Sequence, residues 1–201
     1  MKIKLLLAPL AMCILAISCV NKDYDLDKLD SEMTVVPGLT TTVTVNKVME
    51  AKLYDIIKNA PGYNPSLDDY VTDADGNYNM SILPDWDSKY TFGEDFDIKD
   101  YMSGLDDAIK TLAAKVSINV DNKVALPLTV KVNGKSYNVP ASGKTDFTVE
   151  YDNILALKRI EAEVEAGFKK GTSITLNKED KITVTVPQAV VSIPDGITVK
   201  F

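Results

Sequence analysis

Hydrophobic and polar positions alternate through most of the chain after residue 115. Val116, Ile118 and Val120 alternate, and so do Leu126, Leu128, Val130 and Val132, with Asp121-Asn122 read as a turn between them. Asn133-Gly134 predicts a tight hairpin into Ser136–Val139, and Phe147 and Val149 predict a further short strand. Over 157–168, Ile160, Ala162, Val164, Ala166 and Phe168 share one face, while Arg159, Glu161, Glu163 and Glu165 share the other. That strict period of two predicts a half-buried strand with a wet acidic face. Ile174 and Leu176 precede a turn over 177–180. Ile182, Val184 and Val186 then alternate with Thr183 and Thr185 until Pro187, which is expected to end the strand. Val191, Ile193, Ile197, Val199 and Phe201 carry the alternation onward, so the last strand is expected to tuck into a sheet or to belong to a pattern that longer relatives continue. Short strands spaced by Gly, Asn, Asp and Pro turns predict an antiparallel sandwich.

The front of the chain has a different rhythm. Thr40 to Val45 reads as a strand after Pro37-Gly38. Met49, Leu53, Ile56 and Ile57 then recur at helical spacing, with Asn46 able to cap and Pro61-Gly62 to stop the run. This predicts a helix of about three turns, with a strand and irregular tail as the alternative. Asp75-Gly76-Asn77 between Tyr70 and Tyr78 predicts a tight hairpin turn. Ser103-Gly-Leu-Asp106 forms a capping box ahead of Leu105, Ala108, Ile109 and Leu112, which predicts a helix over 104–114. The fold class is therefore mainly β: an antiparallel β-sandwich, Ig-like or related, with one or two short helices in the N-terminal half. The boundaries read as a leader over 1–18, an acidic polar tether over 19–33, a mixed strand and helix region over 34–115 and a sandwich region over 116–201, with one continuous domain over 34–201 as the alternative to the last two.

The first residues change the picture of where the protein works. Lys2 and Lys4 precede an apolar run from Leu5 to Ile17, 13 residues long. A hydrocarbon core needs about 20, so the run reads as a cleaved export signal rather than a span. Cys13 would leave with it. Losing Lys2 and Lys4 leaves 20 basic against 29 acidic residues, a net charge of −9. That balance argues against nucleic-acid partners. The chain holds no His, which excludes His-dependent triads and His-ligated metals.

Ala16-Ile17-Ser18-Cys19 resembles the bacterial lipobox. The resemblance implies a diacylglyceryl thioether on Cys19 and acylation of its amino group, a palmitate-type modification; one acyl chain alone anchors only reversibly. The segment that follows carries Tyr24, Asp25, Leu26, Asp27, Asp30, Thr34 and Val35. It is similar to the opening of a broad group of Bacteroides-type lipoproteins, as are the later Asp-x-x-Gly-Asn-Tyr turn and Leu-Pro-Leu-Thr-Val-Lys-Val segment. That group implies an outer-membrane lipoprotein with β-sandwich domains, in most cases without an assigned activity, and serving capsule, glycan-uptake or adhesive machinery. It leaves open whether the protein faces the periplasm or the cell surface. The partners expected are membrane lipid through the anchor and either a glycan or another envelope protein.

Candidate chemistry is sparse. Asp73, Asp75 and Asn77 have the 1-3-5 spacing of a calcium loop, but the sixth position is Tyr78 and the twelfth Pro84 where Gly and Glu are wanted, so a plain turn is expected and no metal. Gly134-Lys135-Ser136 and Gly143-Lys144-Thr145 mimic the end of a P-loop without its upstream Gly. Glu161, Glu163 and Glu165 have the spacing of a glycosidase pair, with no apolar neighbour to make one of them an acid. No cofactor and no catalysis are expected. Trp86, with Tyr70, Tyr78 and Tyr90, is the candidate platform for stacking on a sugar, against packing of Trp86 in the core. The reading is a lipid-anchored, non-catalytic envelope protein acting by binding or assembly; the alternatives are a glycan-binding accessory or a fimbria-like structural or adhesion subunit. Exposed aromatics would favour the glycan reading, an open edge strand the structural one.

Overall fold

A computed structural model describes residues 32–35, 39–64, 72–102, 109–194 and 197–200. Among the described residues ten strands form, in order β1 (Glu32–Val35), β2 (Leu39–Lys52), β3 (Trp86–Asp95), β4 (Ala113–Asn122), β5 (Leu128–Val132), β6 (Lys135–Val139), β7 (Lys144–Tyr151), β8 (Arg159–Phe168), β9 (Lys181–Ile193) and β10 (Ile197–Lys200). One sheet has the order β2-β9-β4-β7 and the other β3-β8-β5-β6, with all pairs antiparallel. The sheets pack face to face as a β-sandwich around one hydrophobic cluster. Both draw strands from either side of residue 115. β1 and β10 pair separately, Val35 opposite Ile197, and continue the direction of the β2–β9 ladder.

The alternation read from sequence is the alternation of burial. Val116, Ile118, Val120, Leu128, Val130 and Val132 are buried, and so is every second residue of β8 from Ile160 to Phe168. Asn133 and Gly134 hold φ of 48° and 74°, the left-handed pair a two-residue hairpin turn needs. Asn122 belongs to β4 rather than to a turn, and its side chain is fully buried. Its amide donates to the carbonyls of Leu126 and Pro140, both at 2.9 Å, and its oxygen accepts from Val124 N–H at 2.9 Å. One side chain thus ties the β4–β5 crossing to the β6–β7 crossing.

Three expectations need correction. The three-turn helix expected from Met49, Leu53, Ile56 and Ile57 shrinks to α1 (Leu53–Lys58), because β2 runs on to Lys52 along β9. The helical spacing is real only for Leu53, Ile56 and Ile57, all buried. Asn46 caps nothing: it sits at φ 53° in a β-bulge, where the register slips between Thr44 and Lys47. Pro187 does not end its strand. β9 passes through it with a slip of its own against β4, between Val116 and Asn119. The ladder cannot use a proline N–H, and the extra residue lets the strand go on. Last, of the helix over 104–114, residues 104–108 lie outside the described residues; 109–112 are not helical, and Ala113 and Ala114 open β4, with Ala114 opposite Tyr151.

The strand order gives the sandwich two distinct ends. At one end lie α1 and the β2–β3, β4–β5, β6–β7 and β8–β9 connections. At the other lie the β5–β6 hairpin, the β3–β4 and β7–β8 connections and the β1–β10 ribbon.

Candidate functional site

The groove in the β3-β8-β5-β6 sheet follows from the way one ladder stops. β5 pairs with β8 only from Thr129 opposite Glu165 to Lys131 opposite Glu163. Continuing that register puts Pro127 opposite Gly167. Pro127 cannot donate to a ladder, and the strands part there. A groove of about 940 Å³ opens at the parting, between Pro127, Pro140 and Pro61 on its rim and Ala166 and Gly167 on β8. Gly167 keeps this surface low, since a Cβ there would lie 2.2 Å from Asp87 Oδ1. The groove belongs to the end of the sandwich remote from the β1–β10 ribbon.

One polar rung of the sheet lines it. Lys89 lies opposite Glu165, Glu165 opposite Thr129, and Thr129 opposite Asn138, all on the outer face. Lys89 Nζ donates to Glu165, and that hydrogen bond holds the Lys89 ammonium above its ordinary pKa. Thr129 Oγ1 lies 3.4 Å from the Asn138 side-chain oxygen. Asp87 pairs with Lys169 at 3.3 Å. The next rungs are also paired: Glu163 with Lys131 at 3.8 Å, and Arg159 with both Glu161 at 3.0 Å and Asp95 at 3.1 Å. The acidic face of β8 is wet, as its pattern predicts, and each of its three glutamates faces a cation.

The aromatic candidates are elsewhere. Trp86 is 6% exposed and Tyr78 5% exposed, both in the core cluster. Trp86 follows the core-packing alternative, and the pair offers no stacking platform. The Trp86 indole N–H is buried with no acceptor among the described residues, beside a cavity of about 50 Å³ under residues 57–64. Tyr90 is half-buried and stacks on Phe92 at 6.0 Å between centroids. Tyr70 and Cys19 lie outside the described residues.

The Asp73 turn closes on a bridge from Thr72 to Tyr78; the residues that would carry a hairpin further, 65–71, lie outside the described residues. Asp73 Oδ1 accepts from the N–H of Asp75 at 2.9 Å and of Asn77 at 2.8 Å, and Oδ2 from the Asn77 amide at 3.2 Å. The bonds from Asn77, chiefly its backbone N–H, lower the Asp73 pKa. Asn177 then stitches the turn to the β8–β9 loop, donating to Asp75 O and Asn77 Oδ1. The carboxylate oxygens thus bind the turn itself. Among the described residues no three His, Cys, Asp or Glu side chains converge as a metal-binding group.

The β6 and β7 edges are partly capped by side chains, while β2 and β3 form the other edges of the two sheets. Asn133 donates to the Glu150 carbonyl at 3.1 Å and Tyr137 Oη to the Thr148 carbonyl at 3.5 Å, both on β7. Thr145 Oγ1 donates to the Asn138 carbonyl of β6 at 3.4 Å, and the Tyr137 and Phe147 rings stack at 3.6 Å across the gap. Backbone groups that a new strand would need are thereby engaged by side chains. β10 is itself paired with β1.

Sequence reasoning missed the groove. Its signal was present in two residues, Pro127 ahead of a strand and Gly167 inside another, but only the register brings them opposite each other.

No protein-family model and no curated protein matches the chain. Among solved structures it is similar to the carbohydrate-binding module TmCBM61 solved with β-1,4-galactotriose: 10% identity, 81% of this chain and 88% of that one, TM-score 0.27. A β-galacturonidase of family GH2 from Eisenbergiella tayi aligns at 13% identity over 77% of this chain and 25% of its own length, TM-score 0.30. The infectious bursal disease virus Gt strain structure aligns at 13% identity over 89% and 46%, TM-score 0.22. Likenesses at these scores carry no weight for ligand or activity.

Proposed function

We propose that the protein is a lipid-anchored, non-catalytic binding protein of the outer membrane, tethered through Cys19 and engaging its ligand at the far end of the sandwich. One observation carries this reading: the β1–β10 ribbon and the groove occupy opposite ends of the strands. The tether read over 19–33 leads into β1, so an anchor at Cys19 would attach at the ribbon end, about 30 Å along a ten-residue strand from the groove. Binding is favoured over turnover because each glutamate of the β8 face is engaged by a cation on an open surface.

The test is mass spectrometry of the protein purified from its own host's membranes, with Cys19→Ala as control. A diacylated and N-acylated peptide starting at Cys19 is expected, with the variant released from the membrane fraction. An unmodified N-terminus cut elsewhere, with wild-type protein in the soluble fraction, overturns the anchor.

A further inference from the structure

We infer that the groove at the β5–β8 parting takes a neutral, hydroxyl-rich chain, a glycan, laid across the strands; the inference deepens the binding reading above and names its ligand class. The outer rung Lys89, Glu165, Thr129 and Asn138 presents, in sequence across four strands, an ammonium, a carboxylate, a hydroxyl and an amide. Strands lie about 4.8 Å apart, so the row is about 14 Å long. A ligand that matches it needs groups able to donate and accept at short intervals, which is what successive sugar hydroxyls offer. The row carries one positive and one negative charge that pair with each other, so it attracts neither a polyanion nor a polycation.

An extended polypeptide fits less well. Strand addition needs a run of open backbone, and in this groove β8 offers only the stretch beyond Glu165, ending at Phe168. The rim residues Pro61, Pro127 and Pro140 cannot donate from their backbone. Among the described residues no aromatic ring lines the groove, so the affinity these residues supply rests on hydrogen bonds. Dissociation constants of about 0.1–1 mM follow for a single short chain.

Trp86 supplies a reporter. It is the only Trp, it precedes the groove residues Asp87 and Ser88 on β3, and Pro61 lines both its cavity and the groove. The experiment titrates the full-length protein, taken from whichever cell fraction holds it, with neutral tetrasaccharides of glucose, xylose, mannose and galactose. Calorimetry and Trp86 emission are the readouts. At least one sugar is expected to bind. Asn138→Ala and Thr129→Val should each weaken it about fivefold, and Thr42→Ala on the opposite sheet should leave it unchanged. Circular dichroism checks that the variants fold. No binding by any of the sugars at about 10 mM, or binding that survives the double groove variant, overturns the inference. Saturation by a mixed octapeptide pool, lost in the same double variant while no sugar binds, replaces glycan with peptide. Because the readout is independent of the acyl chain, a soluble wild-type protein that still binds sugar would sink the anchor and keep the groove.

Discussion

Pro187 and Pro127 both fall where a sheet would use a backbone donor, and the molecule treats them in opposite ways. Pro187 lies within β9, between β2 and β4, with neighbours on both sides. β9 slips by one residue against β4, β2 slips by one at Asn46, and the three-strand ladder resumes. Pro127 lies just before β5, with nothing beyond it in that strand, and the sheet parts. An interior strand has too much burial at stake on both flanks to open, so it absorbs the defect in a bulge. A strand's first residue has little at stake, and the same defect becomes a surface groove.

Deleting Asn46 tests the first half of the comparison most severely. The bulge sets the phase of β2, so that Val43 and Val45 are buried on one side of it and Met49 and Ala51 on the other. Removing one residue breaks that alternation, so either Val43 and Val45 turn to solvent with Thr42 and Thr44 inward, or this half of β2 loses its register with β9. The cost is about 5 kcal/mol or more, and no cooperative unfolding transition is expected. A deletion variant that unfolds within about 1 kcal/mol of wild type would show that the two bulges are independent. Asn122→Ala acts on the second half. It strips bonds from two carbonyls and one N–H in the crossings that deliver Pro127 and Pro140. A loss of about 3 kcal/mol in denaturant unfolding is expected, against well under 1 kcal/mol for Asn138→Ala on the exposed face.

These residues also mark what the sequence could tell. Period-two burial in β4, β5 and β8 was legible because a sheet with one wet face writes itself into the alternation. Asn133-Gly134 was legible because its turn needs two left-handed residues. The bulges were not: Asn46 reads equally well as a helix cap, since the same short amide tolerates φ > 0 and favours caps. Pro187 reads as a stop unless the compensating slip in β2 is known. Trp86 could be weighed but not placed, because a lone aromatic among acids is compatible with core and surface alike. The groove depends on a register between residues about 40 apart in the chain, and no local pattern encodes that.

Acid should weaken the ladders that bulge and spare the parting. Glu50 is held below its ordinary pKa chiefly by its bond to Lys181, Glu179 by Lys52, and Asp97 by Lys158. Burial works to raise Asp121, but its bonds to Lys123 and Lys144 outweigh it and the pKa is lowered. A depressed carboxylate favours the folded state above its unfolded pKa of about 4, and that contribution is lost as pH falls through the folded value. The thermal midpoint should therefore be flat from neutral pH to about 5 and fall below about 4. Two of these pairs, Glu50–Lys181 and Lys52–Glu179, clamp the β2–β9 end, so amide exchange should quicken there first on acidification. Uniform quickening across both sheets would count against that order.

The smallest expected effect on stability carries the sharpest test of the groove. Pro127→Val restores a backbone donor at the position opposite Gly167 and replaces a rigid ring with a residue that suits a strand. If the parting exists because of the missing donor, the β5–β8 ladder should lengthen by one or two residues and protect the amides nearby. Stability should change by less than about 1 kcal/mol, since the gained bond offsets the proline's advantage in the unfolded chain. Amide exchange at 127–128 and 166–168 is the measurement. Slower exchange there, with the rest of the sheet unchanged, ties the groove to one proline. Unchanged exchange would move the cause to the Asn122 crossing, which would then hold the strands apart whatever residue stands at 127.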